Sequence, residues 1–197
     1  MSRGIKPVVW IGSSRTDLAS FPEDVKDAIG YALYIAQRGG KHGDAKPLRG
    51  FGGAGILEVG RYLSRRVYGP TSGSHLCFAC VPEEVKGRSK RIEVEEGRGN
   101  VFADIGLPNP EERLAKADLA IRIAETIRTR RLTQTRAAHL LKIDQPKISR
   151  LLRGQLSGFS TERLLHFLTL LGRDVEITIK PVPRSRRQGH LRVVATA

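Results

Sequence analysis

Apolar positions along this chain change period several times, and each change marks an element. Residues 6–11 (KPVVWI) are apolar and rich in β-branched and aromatic types, which predicts a strand. Pro22, Glu23 and Asp24 then open a long helix in which Val25, Ile29, Leu33 and Ala36 recur on one stripe, and Gly39-Gly40 stops it. A short helix is expected between the two, and Ile56-Leu57-Glu58-Val59 begins a second strand. Across residues 60–91 the pattern is lost: Gly and Pro are scattered, and seven basic residues stand against two acidic ones. Order returns at Asn109-Pro110-Glu111-Glu112, which reads as an N-cap, a proline at the first helical position and a Glu at the third. Leu114, Ala117, Ile121, Ala124 and Ile127 carry that helix to Arg131. Ser160 caps a later helix over residues 161–171, with Leu164, Leu165, Leu168 and Leu171 apolar and Gly172 as its stop. Residues 174–181 (DVEITIKP) alternate and are β-branched, so they predict a strand. One short strand is not stable alone, and its expected partner is another chain's copy or the N-terminal half. Residues 184–197 are basic without period and predict a flexible tail.

Between those two C-terminal helices lie residues 132–154 (LTQTRAAHLLKIDQPKISRLLRG), which hold the parts of a helix-turn-helix in order. Thr133 caps the first helix, with Gln134 in its first turn. Ala138 is small where the next helix must cross closely, and Leu141 and Ile143 anchor the turn. Asp144 offers a second N-cap, after which Ile148 and Leu151 face inward at i, i+3 spacing. Gln145, Pro146, Lys147, Ser149, Arg150 and Arg153 are left toward solvent or DNA. Pro146 falls in the first helical turn, where a missing N–H does no harm. The bland alternative is a helical hairpin that merely contains this pattern.

Through Thr133-Gln134, Ala138, Gln145, Ile148-Ser149 and Gly154 the segment closely resembles the Cro/repressor-type (XRE) helix-turn-helix family, and within it the HigA-type antitoxins. The resemblance implies that Gln134 clamps a phosphate and supports Gln145, which reads a base edge, and that Arg150 also faces bases. Thr133, Pro146, Lys147, Ser149 and Arg153 complete the expected DNA-binding set. The chemistry suits these roles. A Gln amide pairs bidentately with adenine and an Arg fork with guanine, while helix N-termini and Lys/Arg side chains hold phosphates. Many members carry Gly in the turn where this chain has Lys142, and a left-handed Lys there costs roughly 1 kcal/mol against Gly.

The N-terminal half raises two other possibilities. Gly50, Gly52 and Gly55 satisfy G-x-G-x-x-G, but a helix and loop precede them and a strand follows, the wrong context for a nucleotide site. Phe21-Pro22, Ile29-Gly30, Ala36-Gln37, Ala45-Lys46-Pro47-Leu48 and Gly50-Phe51-Gly52-Gly53 strongly resemble the phage-derived HigB branch of the RelE-like toxins. Those are small mRNA endonucleases, usually encoded just before a HigA-type antitoxin. The resemblance stops abruptly at Val59, before the strands that would bear the residues that cut RNA. Back-translating from Val59 one nucleotide out of register permits SDDTYRAVYTVRLAGAIYVLHVFQKKSK, which looks like the missing strands; free middle bases make the test permissive. A one-base frameshift near Val59 would account for residues 60–91, and a genuine insert is the rival. Cys77 and Cys80 with His75 nearby then need no zinc or redox role; one C-x-x-C is half a zinc site.

The expected fold is therefore α+β. It comprises a truncated RelE-like α/β fragment (5–59), an irregular linker (60–91), an all-α lambda-repressor-like domain with a short C-terminal strand (92–183), and a basic tail (184–197). A sheet without its central strands leaves an open edge and a bare helix stripe, so the N-terminal half is expected to fold weakly or to borrow cover.

Charge supports a polyanionic partner. Of the net +14, residues 110–197 carry +10, from 18 Lys/Arg against 8 Asp/Glu. No apolar run is long enough to span a membrane and the N-terminus is no signal peptide, so a cytoplasmic home is expected. The leading function is a DNA-binding regulator of the antitoxin type, acting as a homodimer on double-stranded operator DNA, with a HigB-like toxin as a further partner and no cofactor or metal. The enzymatic alternative is an RNA endonuclease fused to its own inhibitor, with Arg61, Arg65, Arg66, Tyr68 and His75 as candidates outside any strand frame. A third is nonspecific nucleic-acid binding through Arg184, Arg186 and Arg187.

Overall fold

The computed structural model describes residues 5–43, 45–47, 57–58, 77–78, 94–184 and 189–194. The chain divides into two compact units, Met1–Pro108 and Asn109–Ala197.

In the first unit, β1 (Val9–Ile11) leads through α1 (Ser14–Ala19) into α2 (Glu23–Gln37). Three two-residue strands come next, β2 (Lys46–Pro47), β3 (Leu57–Glu58) and β4 (Cys77–Phe78), paired antiparallel in the order β2-β3-β4. Then come β5 (Val94–Glu96) and α3 (Val101–Asp104). β1 pairs antiparallel with β5, so that Val9 faces Glu96, Trp10 faces Glu95 and Ile11 faces Val94. The strand alternation turns Trp10 inward, where it is only 2% exposed, and leaves Val9 and Ile11 outside.

The α2 stripe buries Val25, Ile29 and Leu33 as its spacing predicts, and Ala28, Tyr31, Ala32 and Tyr34 are buried beside it. Cover comes from α3 and the residues at its C-terminal end: Val101, Phe102, Ile105 and Leu107 are all buried, and α3 packs on α2. A Cβ at Gly30 would stand 2.9 Å from the Phe102 ring, so glycine permits the approach. The end of α2 is tied to the chain start by two bonds, the Gln37 amide donating to the Lys6 carbonyl at 2.8 Å and the Lys6 N–H to the Gln37 carbonyl at 3.0 Å.

This unit differs from a fragment ending at Val59. It includes β5 and α3, from the stretch that the sequence pattern groups with the C-terminal domain. Apart from Cys77–Phe78, residues 60–91 lie outside the described residues, as do Arg61, Arg65, Arg66, Tyr68 and His75 and the expectation of poor order there.

Among its described residues the second unit has four helices: α4 (Pro110–Thr129), α5 (Gln134–Leu140), α6 (Gln145–Leu152) and α7 (Thr161–Leu170). Asn109 stands at the α4 N-cap, but in a left-handed conformation (φ 50°) and without a side-chain cap bond. Glu112 turns along the helix instead and pairs with Lys116 at 2.7 Å. α4 is buried on more than the one predicted stripe, through Ala115, Ala117, Leu119, Ala120, Ile121, Ile123 and Ile127, because it packs on both α6 and α7. Ser160 caps α7 by accepting from the Arg163 N–H at 3.3 Å, and Gly172 closes it at φ 69°. Arg130 donates to the Leu171 carbonyl at 3.0 Å, and Arg173 to the Thr126 hydroxyl at 3.4 Å. Two cations that look like surface charge in the sequence thus fasten α4 to the end of α7.

The expected strand over residues 174–181 is a correction. These residues form no strand, and no strand among the described residues pairs with them. Ile177 and Ile179 are 74% and 93% exposed. Among the described residues, no helix is long and apolar enough to cross a membrane.

Candidate nucleic-acid interface

The α5–turn–α6 segment is built from local chemistry. Thr133 lies in extended conformation before α5, and its hydroxyl accepts from the Arg136 N–H at 3.2 Å. Ala137 and Ala138 are fully or nearly buried where α5 meets α6, since a larger side chain would hold the two helices apart. The turn reverses at Lys142, which adopts φ 52°, a conformation that costs a residue with a Cβ on the order of 1 kcal/mol. Leu141 is buried and Ile143 half-buried beneath it. The Ile143 N–H donates to the Ala138 carbonyl at 3.0 Å, closing the end of α5.

Asp144 occupies the N-cap position of α6 in extended conformation, but its carboxylate makes no cap bond. It pairs with Lys147 at 3.0 Å, one turn along. Negative charge still sits at the positive end of the helix dipole. Ile148 and Leu151 are fully buried, and α6 packs on α4 through this face. The opposite face presents Gln145, Pro146 and Arg150 exposed, with Lys147 and Ser149 half-buried at its sides. Arg153 lies just beyond α6, exposed, and its guanidinium donates to the Ser149 hydroxyl.

The two helices are linked across the turn. The Gln145 amide donates to the side-chain carbonyl of Gln134 at 2.6 Å, joining the first residue of α5 to the first residue of α6. Each glutamine keeps half of its amide for an outside partner. Arg150, about one and a half turns beyond Gln145, is exposed and has no ion pair among the described residues. Of the eight residues singled out in the sequence, Thr133, Gln134, Gln145, Lys147, Ser149 and Arg153 each have a local partner, and Arg150 is left with its fork presented to solvent. The sequence did not reveal the Asp144–Lys147 pair; its signal was an i, i+3 acid–base spacing at a helix start. Among the described residues no group of three His, Cys, Asp or Glu side chains is placed to hold a metal ion.

Residues 101–180 match the family described as "Helix-turn-helix domain". A solved chain described as "Putative XRE Family Transcriptional Regulator" is 46% identical over 45% of this chain and 100% of its own length, with a TM-score of 0.43. The chain belongs to the XRE helix-turn-helix family. No curated protein matches. In this XRE-family chain the matched residues hold α3 to α7, and the solved relative corresponds to less than half of the 197 residues.

Proposed function

We propose that this protein is a DNA-binding transcriptional regulator that recognises a palindromic operator as a homodimer and thereby controls its own toxin–antitoxin operon. What carries the proposal is the Gln134–Gln145 bond beside an exposed Arg150 that has no ion pair among the described residues. An amide fixed by its neighbour is ready to read an adenine edge, and an adjacent guanidinium a guanine. Gln134, Thr133 and the N-terminus of α5 are assigned to a phosphate, and Lys147 and Arg153 to flanking phosphates. Pro146 shapes the first turn of α6, and Ser149 orients Arg153. The N-terminal unit is assigned as a toxin remnant without ribonuclease activity. Its α2 stripe is covered by residues downstream of the proposed frame change, which supports a structural rather than a catalytic part for it.

Selection of operator fragments from the flanking promoter, followed by fluorescence anisotropy, tests the proposal. Arg150→Ala should weaken the operator complex by about 1–3 kcal/mol and relax one base position. Equal affinity for operator and random duplex at moderate ionic strength would overturn it. Growth arrest or mRNA cleavage on expressing the full chain would restore the nuclease alternative.

A further inference from the structure

We infer that the cleft between the C-terminal ends of α4 and α7 is a binding site for a small phosphate-bearing ligand, held by Arg130, Arg173 and Thr129. Thr126, Thr129, Arg130, Leu171, Gly172 and Arg173 line a cleft of about 320 Å³. That volume lies at the lower end of the range for small-molecule sites. None of these residues belongs to the set assigned to DNA.

The two helices end side by side here. α4 closes at Arg130 and α7 at Leu171, and each is followed by a residue in left-handed conformation, Arg131 at φ 50° and Gly172 at φ 69°. The backbone donors at these ends are already spent: the Arg130 N–H on the Thr126 carbonyl, Gly172 on Thr169 and Arg173 on Leu168. A ligand must therefore be held by side chains. One bond anchors each guanidinium. Arg130 Nη1 donates to the Leu171 carbonyl at 3.0 Å, and Arg173 Nε donates to the Thr126 hydroxyl at 3.4 Å. Buried Thr126 is itself oriented, since its hydroxyl donates to the Arg122 carbonyl at 2.8 Å.

A guanidinium carries several N–H donors in a rigid fork, so most of both remain unused. Arg130 keeps its Nε–Nη2 edge and Arg173 both Nη groups, and each edge can take two oxygens of one phosphate. Exposed Thr129 adds a hydroxyl with no hydrogen bond among the described residues. Neither arginine has an ion pair among those residues. The bland account is that both cations merely offset the two helix C-termini. Each such end carries roughly half a negative charge, so two ends cancel about one of the two positive charges. About one positive charge is left over in an open cleft, and it selects an anion.

Phosphate suits this donor set better than a lone carboxylate. A carboxylate has two oxygens, whereas a phosphate monoester presents three strong acceptors to two forks and a hydroxyl. The cleft also has room for a small organic group beside the phosphate. Arg130 stands just ahead of Thr133, the cap of α5, and α4 packs on both α6 and α7. An occupant would thus tighten the junction on which the helix-turn-helix is mounted.

The site is tested on the full chain, titrated with inorganic phosphate and with glycerol phosphate by isothermal calorimetry and melted with and without each at fixed ionic strength. Wild type should bind both saturably at or below millimolar concentration, and its melting temperature should rise accordingly. Arg173→Gln and Arg130→Gln should each weaken binding about tenfold or more. Both variants also lose an anchoring bond, so Thr129→Glu supplies an independent case. Its carboxylate would occupy the forks, and the phosphate response should vanish with the helical circular dichroism retained. A response of equal size in wild type and Thr129→Glu would make phosphate a general salt effect and overturn the inference. So would the absence of saturable binding in wild type. Saturating random duplex should leave the glycerol phosphate titration unchanged. If it abolishes that binding instead, the cleft is a contact for the DNA backbone and the small-ligand assignment falls.

Discussion

At the residue scale, Lys142 and Gly30 show opposite solutions to one steric problem. Lys142 holds a left-handed turn that glycine would adopt freely. Lys142→Gly is expected to stabilise the second unit by roughly 1 kcal/mol, reduced somewhat by the extra freedom glycine has when unfolded. Urea melts followed by helical circular dichroism would show it, and a loss of stability would mean that the lysine side chain matters more than its backbone. At Gly30 the constraint is a neighbour: the Phe102 ring leaves no room for a Cβ. Gly30→Val should destabilise the first unit by about 1–3 kcal/mol through overpacking, and Phe102→Ala in the same chain should recover part of that loss. Additive losses in that double-mutant cycle would argue that the two positions do not touch in solution.

At the element scale the helix-turn-helix was legible because it is written in local chemistry. Caps at Thr133 and Ser160, a small Ala138 and an inward Ile148-Leu151 pair each declare themselves within a few residues. Thr133→Ala should cost about 1 kcal/mol by the same melts, since the Arg136 N–H would lose its acceptor. Leu151→Ala should cost about 2–5 kcal/mol, as expected for a fully buried leucine. Other elements were not legible for physical reasons. α3 is one turn long, and its only local sign is Asn100, whose side chain accepts from the Phe102 N–H at 3.1 Å. β5 is acidic and exposed, and its strand character comes from pairing with β1 far away in sequence. Residues 174–181 carry strand chemistry, but no strand among the described residues pairs with them, so pattern and structure part there. The Glu112–Lys116 pair adds a small pH dependence. The Lys116 hydrogen bond and charge hold the Glu112 carboxyl below its ordinary value, with a lesser contribution from Arg113. A lowered carboxylate pKa stabilises at neutral pH, and that contribution disappears as pH falls through the carboxylate range. Because Glu112 is exposed, Glu112→Gln should change the melting temperature at neutral pH only slightly and remove its share of the acid-side decline.

For the whole molecule, positive charge and fold agree on where a polyanion would bind. Several cations in the second unit already have protein-facing jobs or partners, among them Arg130, Arg173, Lys116, Arg122, Lys147 and Arg153. Lys147 and Arg153 remain close enough to the recognition face to exchange their partners for phosphates. Lys147→Ala or Arg153→Ala should weaken all duplexes alike and lower the slope of log affinity against log salt by about 1. A change confined to the operator would instead make either residue a base reader. The division after Pro108 adds a second expectation: residues 109–197 alone should keep their helical circular dichroism, because α4 to α7 bury one another. Loss of helicity in that fragment would show that its core depends on residues outside it.

The union of β1 with β5 has a consequence for synthesis. Trp10 and the α2 stripe leave the ribosome early, but the segment that shields them, residues 94–107, is translated some sixty residues after α2 ends. Until then the nascent polypeptide lacks that part of its cover, which invites chaperones or aggregation. Any product that terminates before Val94 is left permanently in that condition, so premature stops in this gene should yield chains that proteases remove quickly.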